Sequence, residues 1–345
     1  MMCCGNCFGD ANLTWHIEEN SGVKGNCDFC GNKDIPLAEP SDLRDKFEHV
    51  IGAYEIGTPP EAFNIQTIFR KDWNLFQALD RSRAQSLIKS IFRNSGAFKQ
   101  KFIPLFNQRS AAIEKWEAFR KELKHENRYF PKNIPDNKQL TSLFYFVSTS
   151  GDLKNKSVFR ARVTEEDDPY CLEDMGKPPE NETAHGRANP FGIPYLYVAS
   201  DSRTAISEVR PNVGEFVCVA TFKVVRDLRL VDLRDPRKAI SPFATYTRDQ
   251  IKLLCDNIGY LSRLGEELSI PVLPREAHLE YLPSQYLCEF IKHCDYDGVM
   301  YKSSTSDGTN YSIFNDNKLK PARVTMYRIN RIELNFSKLS KPIKR

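Results

Sequence analysis

Four cysteines near the start of the chain have the residue type and spacing of metal ligands. They form two C-x-x-C knuckles, Cys4-Gly-Asn-Cys7 and Cys27-Asp-Phe-Cys30, separated by a spacer close to the length typical of zinc ribbons. Each knuckle can direct two thiolates at one tetrahedral ion. Because all four ligands would come from the protein, we expect a closed Zn²⁺ site that is structural and not catalytic. A redox motif, or two unrelated pairs of reduced cysteines, is the alternative.

A second pattern that could carry chemistry is Arg120-Lys-Glu-Leu-Lys-His125. Its R-x4-H spacing resembles the ribonuclease motif of HEPN domains, and in that interpretation Arg120 and His125 would cut RNA. A basic, solvated face of a helix explains the same residues without any chemistry. Both interpretations stay open at this point.

The elements that would position such residues differ along the chain. From about Ser41 to Phe130 apolar residues recur at helical spacing, and two long amphipathic helices are predicted over DWNLFQALDRSRAQSLIKSIF and NQRSAAIEKWEAFRKELKHE. Beyond PKNIPDNKQL, short runs rich in Val, Tyr, Phe and Ile predict strands at YLYVAS, EFVCVATFKVV, LRLVDL, DGVMYKSS, NYSIF and RVTMYRINRIEL. Helices are expected near Ser241 to Glu267 and from Pro283. We therefore predict an α+β fold with a zinc ribbon over 1–38, a helical domain over 39–135 and a mixed-sheet domain over 145–340.

Composition limits the classes of partner. The chain has 345 residues, with 49 basic and 45 acidic ones and a formal net charge of +4, so nothing requires a nucleic-acid or acidic-lipid partner. No basic segment followed by an apolar run opens the chain, and no apolar stretch reaches the length of a membrane span. We therefore expect a cytoplasmic protein of two or three globular units. We expect no membrane partner, and nucleic acid is an unfavoured one.

Three clusters in the α+β region follow the pattern of a known family in both order and content. They are SVFRAR (157–162), GRANPFGIPYLYVASDSRTAISEVRP (186–211) and LPSQYLCEFIKHCDYDGVMYKSSTSDGTNYSIF (282–314). These clusters resemble the RES family, and the zinc-ribbon and helical part resembles the HEPN/RES region found fused to RES domains. The resemblance implies an NAD-consuming domain with a fold similar to ADP-ribosyltransferases, often acting as a toxin. It also implies that Arg160, Glu208 and Ser303 are catalytic.

The chemistry of NAD cleavage agrees with these residue types. An arginine fork pairs with two phosphate oxygens at once, and Arg160 and Arg187 are the candidates, with Arg162 close in register to Arg160. Departure of nicotinamide leaves positive charge on the ribose. A fixed carboxylate such as Glu208 can stabilise this charge or can orient the 2-hydroxyl of the ribose. In SDSRTAISEVR the apolar Ala205, Ile206 and Val209 would hold the helix against the sheet and fix Glu208 there.

Two further side chains are candidates for substrate binding, beside Arg162 and Arg187. Tyr197 lies on a predicted strand and could stack on the nicotinamide or the adenine ring. Asn310 begins a strand after a Ser-Asp-Gly turn, and Ser303 ends the strand before it, so both could hold ribose or phosphate oxygens. The plain structural interpretation makes the arginines and Glu208 surface charges, Tyr197 a core residue and Ser303 a turn residue.

The expected function is an NAD-degrading enzyme that cleaves the nicotinamide–ribose bond, as a glycohydrolase or a phosphorylase, and that acts as a toxin or antiphage effector. Water, inorganic phosphate or a protein side chain could accept the ADP-ribose, and the last case would make the chain an ADP-ribosyltransferase. A neutralising or activating partner protein, or an assembly of several copies, is expected to regulate it. The rival functions are a HEPN-type ribonuclease with the RES part as sensor, and a binding module that uses the zinc ribbon.

Overall fold

The structure is a computed structural model that describes residues 1–93, 96–105, 110–150, 152–164, 168–244 and 246–333. The chain divides into two units. The first contains Met1–Ser148, Asp232–Leu268 and Leu282–Ser284, and the second contains Thr149–Val231, Ser269–Tyr281 and the residues from Gln285 onward. The expected three-part division remains a prediction, and residues 334–340 of the expected third part lie outside the described residues.

The first unit is built mainly of helices. They are α1 (Ala11–Asn20), α2 (Arg44–Ile51), α3 (Ile65–Trp73), α4 (Arg81–Ile91), α5 (Ala111–His125), α6 (Asn137–Phe146), α8 (Pro236–Ala239) and α9 (Arg248–Ser269). Two short antiparallel strand pairs accompany them, β1 (Val23–Gly25) with β2 (Ile35–Leu37) and β3 (Phe63–Asn64) with β4 (Lys101–Phe102). The expected helical N-terminal part is therefore present. Within the described ranges, no helix combines the length and the apolar character that a membrane span needs.

The segment 72–92, predicted as one amphipathic helix, contains a break. Helix α3 ends at Trp73 because Asn74 adopts the left-handed backbone conformation, with φ of 56°. Helix α4 begins after Asp80, whose carboxylate accepts a hydrogen bond from the backbone N–H of Arg83. Leu75 and other apolar side chains between the two helices are buried as well. The apolar pattern alone therefore gave no sign of the break.

The second unit contains an eight-stranded sheet in the described part of the chain. Its strands are β5 (Ser148–Ser150), β6 (Ser157–Thr164), β7 (Leu196–Ala199), β8 (Phe216–Val224), β9 (Arg229–Asp232), β10 (Gly298–Lys302), β11 (Thr309–Ile313) and β12 (Leu319–Arg328). They lie in the order β12-β8-β6-β7-β11-β10-β9-β5. Helices α7 (Ser202–Glu208) and α10 (Ala277–Glu280), and most of α11 (Leu282–His293), belong to the same unit. The α+β prediction is confirmed.

The two faces of this sheet carry different apolar clusters. Leu196 and Val198 join the larger cluster on one face, as the period of two along the strand predicts. On the other face Ala161, Ala199 and Ala205 pack together in a smaller cluster. Because these side chains are small, helix α7, which carries Ala205, can approach the strands closely.

Candidate functional site

A cavity opens in the second unit where two neighbouring strands part. Strand β6 pairs with β8 along its whole length, from Ser157 to Thr164. Its pairing with β7, within the described residues, is limited to Phe159 opposite Ala199. The cavity at this parting has a volume of about 280 Å³. The residues that line it are Phe159, Arg160, Ala161, Tyr197, Val198, Ala199, Ala205, Glu208, Val209, Tyr301 and Asn310.

Glu208 reaches this cavity because of where helix α7 begins and ends. Asp201 starts the helix, since its carboxylate accepts a hydrogen bond of 2.8 Å from the backbone N–H of Thr204. Ala205 is buried against the sheet, and one turn later the helix ends at Glu208. The expected packing of this helix therefore holds Glu208 at the wall of the cavity.

The two oxygens of the Glu208 carboxylate have different surroundings. Oε1 accepts hydrogen bonds from Ser303 Oγ at 2.5 Å, Asn310 Nδ2 at 2.8 Å and Thr305 Oγ1 at 3.0 Å. No hydrogen-bond donor among the described residues reaches Oε2. One oxygen is thus fixed by the protein, and the other remains able to accept a hydrogen bond from a ligand.

Ser303 uses its hydroxyl fully in this arrangement. The hydrogen is donated to Glu208, and the oxygen accepts the backbone N–H groups of Thr305 at 3.1 Å and Ser306 at 3.0 Å. Ser304, its neighbour in register, lines a separate groove on the other side of helix α7. Of the two serines, the geometry therefore connects Ser303 to Glu208.

Arg160 brings a positive charge into the same cavity. Its Nη1 donates a hydrogen bond of 3.3 Å to the carbonyl of Tyr197 on the neighbouring strand. Its Nε is buried and has no hydrogen-bond partner among the described residues, and no carboxylate of those residues pairs with it. Burial, together with the nearby charge of Arg162, lowers the pKa of Arg160 to about 10. A half-buried cation with a buried, unused donor is suited to an anionic ligand.

Two tyrosine rings form part of the cavity wall. The hydroxyl of Tyr197 donates to Asn189 Oδ1 at 2.7 Å and accepts the backbone N–H groups of Ala188 and Asn189. Tyr301 was not among the predicted site residues; it is buried, and burial raises the pKa of its hydroxyl. The period of two along DGVMYKSS puts Tyr301 on the same face as Ser303, and this pattern could have indicated it.

Arg162 and Arg187, both predicted to bind substrate, do not line the cavity. Arg162 lies over the ring of Tyr170, with its guanidinium carbon 5.8 Å from the ring centre. Arg187 donates a hydrogen bond of 2.8 Å to the carbonyl of Ile270 and lies over the ring of Tyr281. Among the predicted site arginines, Arg160 is the one that the fold brings to Glu208 and Asn310.

The four predicted metal ligands come together in the first unit. The sulfur atoms of Cys4, Cys7, Cys27 and Cys30 all lie within 4.8 Å of one another. The separations are 3.9 Å for Cys4–Cys7, 3.4 Å for Cys4–Cys30 and 3.3 Å for Cys7–Cys27. A tetrahedral Zn²⁺ with Zn–S bonds of ~2.3 Å requires sulfur–sulfur separations of about 3.8 Å. The cluster is therefore compatible with one metal ion held by four thiolates.

Cys3, which lies beside this cluster but is not one of the four candidate ligands, differs from Cys4 in its pKa. The hydrogen bond between Cys4 and Cys7 lowers the pKa of Cys4 to about 5 and raises the pKa of Cys7, so Cys4 is the thiol of this pair that loses its proton first. Cys3 is buried, its sulfur lies 3.5 Å from the carbonyl of Ala38, and burial raises its pKa to about 12. Cys3 is therefore a protonated core residue.

Arg120 and His125, the residues of the HEPN-like pattern, have separate environments. Arg120 forms ion pairs with Glu117 and Glu267, each at 2.6 Å, and its side chain is only 21% exposed. Arg263 pairs with the same two carboxylates, at 2.7 and 2.8 Å. His125, at the end of helix α5, is exposed. Arg120 thus belongs to an ion-pair network and does not lie on the solvated helix face that the alternative interpretation predicted.

The fold and this cavity define an α+β protein with a candidate ligand site at the parting of its sheet. Residues 158–335 match a family model described as RES domain, so the chain belongs to the RES domain family. No curated protein matches the chain. The chain is also similar to one in the crystal structure of the M. tuberculosis MbcT-MbcA toxin-antitoxin complex. That match has 12% sequence identity and a TM-score of 0.35, and it covers 55% of this chain and 93% of that one.

Proposed function

We propose that this chain cleaves the bond between nicotinamide and ribose in NAD. The observation that carries the proposal is the carboxylate of Glu208, which lines a cavity with one oxygen fixed by three donors and the other without a donor among the described residues. Loss of nicotinamide leaves positive charge on the ribose. A carboxylate that is already held in place can stabilise that charge, or hold the 2-hydroxyl, without reorganising during the reaction.

Arg160 is proposed to bind the pyrophosphate of the same substrate. Its Nε is buried and has no partner among the described residues, so an anionic oxygen would satisfy a donor that is otherwise left unpaired. The cavity of about 280 Å³ is slightly smaller than the roughly 300 Å³ at which the usual range for small-molecule sites begins. We infer that it takes the nicotinamide riboside end of NAD, with Tyr197 and Tyr301 beside the flat ring, and that the adenosine end extends outward.

Ser303 and Asn310 are proposed to position Glu208 and not to attack the substrate. The Ser303 hydroxyl donates to the carboxylate and accepts two backbone N–H groups, so its oxygen has little capacity left as a nucleophile. Asn310 is only 6% exposed and donates to the same oxygen of Glu208. In this proposal the acceptor of the ADP-ribose comes from outside the chain and is water, inorganic phosphate or a side chain of another protein.

The biological setting is proposed from the family resemblance and from the reaction. An enzyme that consumes NAD without restraint would harm the cell that makes it, so we propose a toxin role with a neutralising or activating partner protein. Zn²⁺ is proposed as the ion for the four clustered cysteines, where it would stabilise the first unit and take no part in cleavage.

The test is to incubate the purified full-length chain with NAD and identify the products. Release of free nicotinamide is expected, and the second product names the acceptor, as ADP-ribose, its 1-phosphate or a modified protein. Glu208→Gln should abolish most of the release. Glu215→Gln is the matched control, because Glu215 accepts two hydrogen bonds from Asn212 in an exposed turn and does not line the cavity. Intact NAD after long incubation, or equal loss in both variants, would contradict the proposal.

A further inference from the structure

We propose that Thr305 is a positioning residue that holds one oxygen of Glu208 and so keeps the other directed at the substrate. The inference rests on the proposed function and extends it to a residue that no sequence pattern indicated. Thr305 Oγ1 lies 3.0 Å from Glu208 Oε1, on the same oxygen that Ser303 and Asn310 contact. All three donors come from the hairpin of β10 and β11.

The turn that carries Thr305 is fastened to helix α7 at a second point. Ser306 Oγ lies 3.0 Å from Thr204 Oγ1, in the first turn of the helix. Gly308 packs so closely there that a Cβ atom would lie 2.0 Å from Thr204 Oγ1. The turn therefore contacts the beginning of the helix through Ser306 and Gly308, and its end through Ser303 and Thr305. The distance between Thr305 and Glu208 is fixed by both contacts.

The three donors differ in how strongly packing holds them. Asn310 is buried and Ser303 is half-buried, whereas Thr305 is exposed. Replacing Thr305 removes the hydrogen bond to the charged Glu208 and the 3.1 Å contact between the hydroxyls of Thr305 and Ser303, but little apolar packing. The backbone N–H of Thr305 still binds Ser303 Oγ, so the turn should keep its shape. With two donors left, the carboxylate gains freedom to rotate, and Oε2 is no longer held in one direction. The effect should appear in the rate of the chemical step more than in NAD binding.

The experiment compares two replacements of Thr305 in the full-length chain. Thr305→Val keeps the shape and removes the hydroxyl, and we expect kcat for nicotinamide release to fall about tenfold while KM for NAD changes less than twofold. Thr305→Ser restores the hydroxyl and should recover at least half of the parental kcat. Thr325→Val is the control, because Thr325 is an exposed threonine of β12 that lines neither cavity nor groove.

A double substitution separates positioning from general destabilisation. In a Glu208→Gln background, Thr305→Val should lower the residual rate less than twofold, because the charged partner is already gone. The changes in unfolding temperature should also be non-additive. The change in the double variant should differ by about 2 °C from the sum of the changes in the two single variants.

Each result leads to a decision. If Glu208→Gln loses turnover while Thr305→Val keeps the parental kcat, the proposal that Thr305 positions Glu208 is wrong, and the proposed function stands. If the parent releases no nicotinamide, the proposed function is wrong, and the unfolding temperatures decide about Thr305. Additive unfolding temperatures would then show that Thr305 and Glu208 are not coupled.

Discussion

Glu208→Gln is the substitution that tests the site most directly, because the geometry dictates how the new side chain must sit. Oε1 of Glu208 accepts three hydrogen bonds. An amide nitrogen cannot accept hydrogen bonds, so the glutamine oxygen has to take the place of Oε1. The NH₂ group then replaces Oε2, the oxygen that no described donor contacts. The variant therefore loses the negative charge and presents an N–H donor where the parent presents an acceptor.

The size of the effect follows from the charge that is removed. A full charge about 4 Å from a developing cation contributes roughly 4 kcal/mol at an effective dielectric constant near 20. Glu208 is half-buried, so part of this is screened by solvent. We expect a loss of about 2.7–4 kcal/mol of transition-state stabilisation, which corresponds to a fall in kcat of roughly a hundredfold to a thousandfold.

The assay is the initial rate of nicotinamide release over a range of NAD concentrations. KM should stay within about threefold of the parent, because the phosphates are proposed to bind to Arg160 and the ground state has no positive ribose. The unfolding temperature should change by only a few degrees, since all three donors keep an acceptor. Glu215→Gln should match the parent in all measurements. A Glu208→Gln protein with more than a third of the parental kcat would refute the role given to this carboxylate.

Three further outcomes are expected. Arg160→Ala should raise KM for NAD about tenfold or more and also lower kcat, because charge-assisted hydrogen bonds to the phosphates are lost, whereas Arg323→Ala, an exposed arginine of β12, should leave both unchanged. Metal analysis should find about one zinc per chain, and Cys27→Ser should lower the unfolding temperature and the zinc content together; a folded protein without metal would refute the site. Burial raises the pKa of Asp10 above its unfolded value, so the parent loses stability as pH rises through the folded pKa. Asp10→Asn avoids this loss, so its unfolding temperature should gain on that of the parent as the pH rises above about 3.8, the ordinary pKa of aspartate, and the absence of such a gain would contradict the shift.

Local pattern was sufficient for most of the strands. Runs such as EFVCVATFKVV and NYSIF match β8 (Phe216–Val224) and β11 (Thr309–Ile313) closely, because alternation and β-branched content are properties of the strand itself. The break after Trp73 was missed for a related reason. Apolar periodicity reports which side chains are buried, and it continues through Leu75 although the backbone leaves the helix at Asn74.

The choice among the arginines needed the fold. Arg160 and Arg162 lie two residues apart on β6 and point to the same face by alternation, so sequence could not separate them. The difference arises because the pairing of β6 with β7 is limited, in the described part of the chain, to Phe159 and Ala199. Arg160 lies next to that point, and its guanidinium reaches the carbonyl of Tyr197, which the other strand leaves available. Arg162 lies further along and packs over Tyr170.

The surroundings of Glu208 depend on contacts between distant parts of the chain. Its donors lie 95, 97 and 102 residues later in the sequence, at Ser303, Thr305 and Asn310. Strand register decides whether they meet it, because Asn310 lies opposite Ala199 of β7, and a shift of one residue would turn Asn310 to the other face of the sheet. The family resemblance supplied Ser303, and the position at a strand end supplied Asn310, but neither gave a reason to select Thr305, whose proposed role follows from the closed turn between the two strands. Glu208 could therefore be selected as a candidate from sequence, whereas the fixed direction of its Oε2 is a property of the register of β11.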